Sequence, residues 1–175
     1  MSLLKILTLV VVLMLIFSAF YAFGPGGEKR LERFFSYPDP LPEIEFETLA
    51  LHERPNQFLI CPRDLCAKTT AHDNAPIFKL NVRNLRNKFE AIALTQNNVE
   101  LKRQSDHPPQ SDYIVRTNIM RYPDIVTVRF IKLGPNSSTL AIYSRSVYGH
   151  SDFGVNEKRV KNWLKNLKEI PEIRN

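Results

Sequence analysis

The run Ile6–Phe23 constrains this chain more than any other segment. Across its 18 residues only Thr8 and Ser18 interrupt the apolar side chains, and Lys5 stands just ahead of it. As a helix at ~1.5 Å per residue the run is about 27 Å long, close to one bilayer core. A cleaved signal peptide is the other reading. A peptidase wants small residues at −3 and −1. A cut after Ala22 puts Phe20 at −3, and a cut after Gly24 leaves Pro25 directly behind it. Residues 1–23 are therefore expected as a transmembrane anchor rather than a signal peptide.

Flanking charge leaves the orientation open. Lys5 and the amino terminus favour a cytoplasmic N-terminus, but Lys29, Arg30 and Arg33 follow the run, and Glu28 and Glu32 count little. A short tail before an early anchor commonly leads to export, so the remainder is expected on the periplasmic or exported side. Cys61 and Cys66 fit that placement if they close one disulfide across a small loop. Two buried thiols are the alternative. Their C-x4-C spacing is wrong for a CxxC redox or zinc element.

Past the apolar run, composition is that of a globular protein, with 43% hydrophobic and 24% charged residues, which argues against disorder. The net charge of +6 is mixed in sign and does not select a nucleic-acid partner. Residues 24–44 carry Gly24-Pro25-Gly26-Gly27 and Tyr37-Pro38-Asp39-Pro40-Leu41-Pro42, and are expected as an extended spacer. Residues 45–175 are expected as a single globular domain.

Within that domain Asn81 can cap a helix from Val82 to Leu94, with Val82, Leu85, Phe89, Ile92 and Ala93 on one face. Val99–Arg103 reads as a short strand, residues 105–112 as a loop and Tyr113–Arg121 as a strand. Ile125–Leu133 is the clearest strand, since Val126, Val128 and Phe130 alternate with Thr127 and Arg129. Thr139–Val147 follows after a turn. A last helix from Val155 or Asn156 to Ile170 carries the stripe Val160, Trp163, Leu164, Leu167 and Ile170 and is stopped by Pro171. The fold class is α+β: an antiparallel meander of about four strands packed by two helices in two layers.

Three segments, "RPNQFLICPRDLC", "RYPDIVTVRFI" and "STLAIYSRSVYGHSDFGVNEKRVKNWL", resemble the domain-of-unknown-function 1499 family over roughly residues 54–167. The most specific feature is a strand ending in SRS followed by G-x-S-D-x-G-V-N-x-x-R. The resemblance implies a bacterial or plastid protein, often with membrane spans or export signals, and no particular chemistry. Family members often carry arginine where this chain has His150, which weighs against catalysis by that residue.

That same stretch, residues 143–159, holds the candidate site: Arg145, Asp152, Asn156 and Arg159. The leading reading is a structural joint, with Asp152 locking Arg145 of the strand to Arg159 of the helix. A compatible reading is an anion site, in which Arg145, Lys158, Arg159 and the helix N-terminus face a phosphate or carboxylate, joined by Arg116, Arg121 and Arg129 as register allows. A hydrolase using Ser146 or Ser144 with His150 and Asp152 is the rival, although there is no G-x-S-x-G elbow. His52, His72, His107 and His150 show no metal-ligand spacing, so no metal or cofactor is expected. The overall expectation is a non-enzymatic, membrane-tethered envelope protein binding an anionic small molecule, a lipid headgroup or a protein partner; an assembly factor for membrane proteins is a further alternative. The basic outer face of the last helix can lie against anionic headgroups.

Overall fold

The computed structural model describes residues 2–170. They form two compact units: residues up to 36 together with 117–122, and residues 37–116 with 123 onward. In the first unit, helix α1 (Leu3–Phe23) is exposed along its length and is long and apolar enough to cross a membrane. Its 21 residues span about 31 Å at the helical rise. The Thr8 and Ser18 hydroxyls donate to the carbonyls of Leu4 and Met14 at 2.9 and 2.8 Å. Neither therefore needs water. A short helix α2 (Gly27–Phe34) follows. The 117–122 loop meets it through Arg121 and Glu32 at 2.5 Å and through the rings of Phe35 and Tyr122, 4.4 Å apart.

The second unit is built on a six-stranded mixed sheet. Its strands are β1 (Gln57–Cys61), β2 (Asp73–Asn74), β3 (Val99–Asp106), β4 (Pro109–Arg116), β5 (Pro123–Gly134) and β6 (Ser137–Ser146), in the order β2-β1-β6-β5-β4-β3. The expected four-stranded meander is β3 to β6, all antiparallel. The expectation is corrected by β1, antiparallel to β6 with Leu59 opposite Tyr143, and by β2, parallel to β1. β1 escapes a pattern search because all five of its residues are buried. With both faces covered its apolarity does not alternate, and prolines flank it at 55 and 62.

Residues 105–112 also differ from the expected loop. Paired strands run through them, with Asp106 opposite Pro109, and only His107 and Pro108 turn. Their polarity serves side-chain partners rather than water: Arg129 donates to Gln110 Oε1 at 2.6 Å, and Arg103 pairs with Asp112 at 2.7 Å. β4 ends at Arg116, short of the expected Arg121, because residues 117–122 close a turn on themselves: the Thr117 amide donates to the Tyr122 carbonyl, the Tyr122 amide donates to Thr117 Oγ1, and Arg121 has a positive φ of 58°.

Helices α3 (Val82–Leu94) and α4 (Val155–Lys168) cover one sheet face. Asn81 Oδ1 caps α3 by accepting from the Asn84 amide at 2.9 Å. Phe89, Trp163, Tyr113 and Phe130 interlock there, with Phe89 and Trp163 edge to face at 5.6 Å. α4 is described as far as its cap, Glu169, and Pro171 lies outside the described residues.

The opposite face has a cover of its own, made by residues 37–51 and the loop closed by the Cys61–Cys66 disulfide. Leu41 and Phe46 are 9% and 0% exposed. Arg103 donates to the carbonyls of Leu41 and Pro42, and Gln110 to that of Ile44. The stretch expected as an extended spacer over 24–44 contains α2 and, from residue 37, a strap bound to the sheet. Its prolines suit extended backbone, and the sheet supplies the hydrogen bonds that such backbone lacks. Replacing Phe46 by alanine is expected to cost about 3–5 kcal/mol. Urea unfolding of the variant beside the parent measures it, and a loss under about 1 kcal/mol would show that the strap is not part of the core.

Candidate functional site

β6 separates the expected cluster. Side chains alternate along a strand. Ser144 and Ser146 point toward α4, while Tyr143 and Arg145 point to the strapped face, as their partners show. On the helix side the hub is Asn156, which is 0% exposed. Its Oδ1 accepts from Ser144 Oγ at 2.5 Å and Arg159 Nη1 at 2.6 Å. Its Nδ2 donates to Asp152 Oδ2 at 2.7 Å, Ser146 Oγ at 3.0 Å and the Asn56 carbonyl at 3.2 Å. Asn56 in turn donates to the Gly149 carbonyl at 2.7 Å. A buried amide with every polar atom engaged fixes three chain segments relative to one another.

Asp152 has a different task from the one its sequence position suggests. Its carboxylate accepts from the amides of Gly154 at 3.0 Å and Asn156 at 2.8 Å, so it closes the free N–H groups that open α4. It pairs with neither arginine among the described residues. The turn before α4 uses positive φ at Gly149, Phe153 and Gly154, and glycine is suited to two of those three places. The carboxylate that meets Arg159 is Asp124, at 2.5 Å, with the two side chains 8% and 5% exposed. Asp124 stands two residues before Val126, on the same face, and Val126 lies opposite Ser144. Its parity with Val126 and Val128 was the available signal, masked by its place after Tyr122-Pro123, which reads as a turn.

Ser146, His150 and Asp152 do not form a relay. His150 is exposed and no hydrogen bond joins it to Ser146 among the described residues, while both Asp152 oxygens are taken by backbone amides. Lys158 is exposed on α4 and stands apart from Arg145. Arg116 and Arg129 belong to the strapped face. Arg116 lies 5.5 Å from the Tyr37 ring centre, and Arg129 contacts Gln110, Glu45 and Glu47. No three His, Cys, Asp or Glu side chains gather at a metal-binding distance among the described residues.

Arg145 occupies a second polar cluster, on the strapped face. Its guanidinium lies over the Tyr143 ring, 4.9 Å from the centre, and Nη1 donates to Thr127 Oγ1 at 3.3 Å. Thr127 donates to Asp112 Oδ1 at 2.6 Å, and the other Asp112 oxygen takes Arg103. Tyr143 donates to Gln57 Oε1 at 2.6 Å. Arg145 Nη2 is buried with no hydrogen-bond partner among the described residues. Burial pushes the Arg145 pKa down, against the upward pull of Tyr143 and Asp112, and burial raises that of Tyr143. Asp112 thus pairs directly with Arg103 and reaches Arg145 only through Thr127. The hollow of about 90 Å³ beside Arg103, Asp112 and Arg129 is also lined by Glu43 and Glu45, which offset its arginines. Arg145 has no carboxylate at ion-pair distance among the described residues, and Asp112 acts on it only from further off.

A family model described as "Protein of unknown function (DUF1499)" matches residues 52–167. The chain belongs to that family. No curated protein and no solved structure matches it. The DUF1499 segment takes in all six strands, α3 and all but the end of α4, and with them both polar clusters. The strap residues Leu41 and Phe46, and both helices of the first unit, lie outside it.

The two carboxylates of the joint are expected to differ in weight. Asp124→Ala strands a buried guanidinium and should cost about 3–5 kcal/mol. Asp152→Ala removes a capping acceptor and should cost about 1–2 kcal/mol. Thermal and urea melts of the two variants decide the order, and a larger loss for Asp152 would return the joint to that residue.

Proposed function

We propose that this DUF1499 protein is a membrane-tethered, non-catalytic domain on the exported side of a membrane, and that it binds a small anionic group, free or carried on a lipid, at Arg145. The observation that carries the reading is the buried Nη2 of Arg145. A guanidinium presents five donors in a planar fork suited to phosphate or carboxylate. This one has a single hydroxyl acceptor and a ring face, and no carboxylate at ion-pair distance among the described residues. A buried donor without a partner is costly, and an anion would relieve both the donor and the excess charge.

Native mass spectrometry of the full chain extracted gently from membranes tests the reading. The expected result is a bound species of phosphate or carboxylate chemistry that is lost in Arg145→Met while the melting temperature holds or rises. A bare chain, or an adduct that Arg145→Met retains, rejects the Arg145 site. A co-purifying polypeptide in its place favours an assembly role.

Support for the tether is α1, whose length and apolarity suit one span, with its two hydroxyls satisfied inside the helix. Support for the exported side is the Cys61–Cys66 disulfide, since such bonds persist in oxidising compartments. In intact cells, a maleimide polymer should modify Cys61 and Cys66 only after reduction. Modification that requires lysis of the cells, even after reduction, would move the domain to the cytoplasmic side.

A further inference from the structure

The end of α1 is packed against two elements that the preceding reading leaves without a role. α2 begins four residues after Phe23, so its first residue lies at most about 14 Å from the end of α1 by chain reach alone. It is held closer than that. Arg30 Nε donates to the Tyr21 carbonyl at 2.6 Å, and its guanidinium lies 4.6 Å from the Tyr21 ring centre. A Cβ at Gly27 would stand 2.2 Å from the Ala22 carbonyl oxygen, so the turn closes tightly on the last turn of α1. The headgroup zone of a bilayer is itself about 5–7 Å deep on each side. With α1 in the membrane, α2 is confined to that zone or its edge.

The side chains suit that place. Phe34 is 77% exposed, as is Ile119 of the 117–122 loop at 72%. Ile119 opens onto a cleft of about 480 Å³ shared with Phe23, Leu31 and Lys29. Large apolar side chains so exposed, beside the end of an apolar helix, are what an interfacial element presents to acyl chains. Lys29 and Arg33 are exposed and lack an acidic partner among the described residues, whereas Arg121 is already paired with Glu32. Free cations next to a bilayer surface attract anionic headgroups.

We infer that α2 and the 117–122 loop form a lipid-contacting surface, on which Phe34 and Ile119 enter the headgroup–acyl boundary while Lys29 and Arg33 meet anionic phospholipid headgroups. The inference rests on α1 being a span. The occupant is the bilayer that holds α1, because Ile119 and Phe23 line one cleft.

Single-cysteine labelling tests it cleanly, since both native cysteines are bonded to each other. The full chain carrying Ile119→Cys, Phe34→Cys or Leu13→Cys is labelled with bimane and reconstituted in phosphatidylcholine vesicles with or without phosphatidylglycerol. Nitroxide-bearing lipid then competes with aqueous iodide as quencher. Labels at positions 119 and 34 are expected to be quenched by nitroxide near the headgroup and shielded from iodide. The shielding should be stronger with phosphatidylglycerol, and Lys29→Gln with Arg33→Gln should abolish that difference. Iodide quenching at 119 and 34 as complete as in free dye, with Leu13 still lipid-quenched, overturns this surface and leaves the span intact. Loss of lipid quenching at Leu13 as well overturns the span, and the surface with it.

Discussion

The ion pair between Arg159 and Asp124 sets how the sheet and its last helix meet. Both side chains are more than nine-tenths buried, so neither tolerates the loss of the other. Arg159 also donates to Asn156 and Ser144, which ties the pair to the buried amide hub at the start of α4. α4 must enter at one angle for all these bonds to form together. That angle brings Val160, Trp163 and Leu167 onto the sheet beside Phe89. Buried polar groups of this kind add little net stability over an apolar core, but they admit few alternative arrangements.

The same strand end sends its next side chain the other way. Arg145 lies one residue from Ser144 and faces the opposite side of the sheet, away from α3 and α4. The strap of residues 37–51 closes over that face and leaves Arg145 with more charge than its surroundings offset. One face therefore holds a joint whose charges are paired, although the buried Asn56 Oδ1 beside it lacks a partner among the described residues, and the other holds a guanidinium with a buried donor that none of them meets. This contrast, rather than any single motif, separates the structural cluster from the proposed binding cluster. It also links the proposed site to the strap, which lies outside the family segment.

Much of the fold was legible in the sequence. α3 runs from Val82 to Leu94 as its stripe and its Asn81 cap imply, and β5 shows the alternation of Val126, Val128 and Phe130. β1 was illegible because burial on both faces erases the period of two. The polar hairpin through residues 105–112 was illegible because Gln110 and Asp112 look like loop residues until Arg129 and Arg103 stand opposite them. The candidate site was legible in part. Asn156, Arg159 and Asp152 do cluster, whereas Arg145 does not join them, and Asp124 completes the group from 28 residues before Asp152.

By itself the sequence determined the local items: an apolar N-terminal helix, the amphipathic stripes, the alternating strands and a glycine-bounded turn ahead of a basic helix. Each depends on neighbours within a few positions, where helical and strand periods act. Only the tertiary structure decided which carboxylate neutralises which arginine, which face each β6 side chain enters and what covers the second face. Those outcomes depend on strand register and on contacts between residues far apart in the chain, and a charged side chain carries no local mark of the partner it will meet.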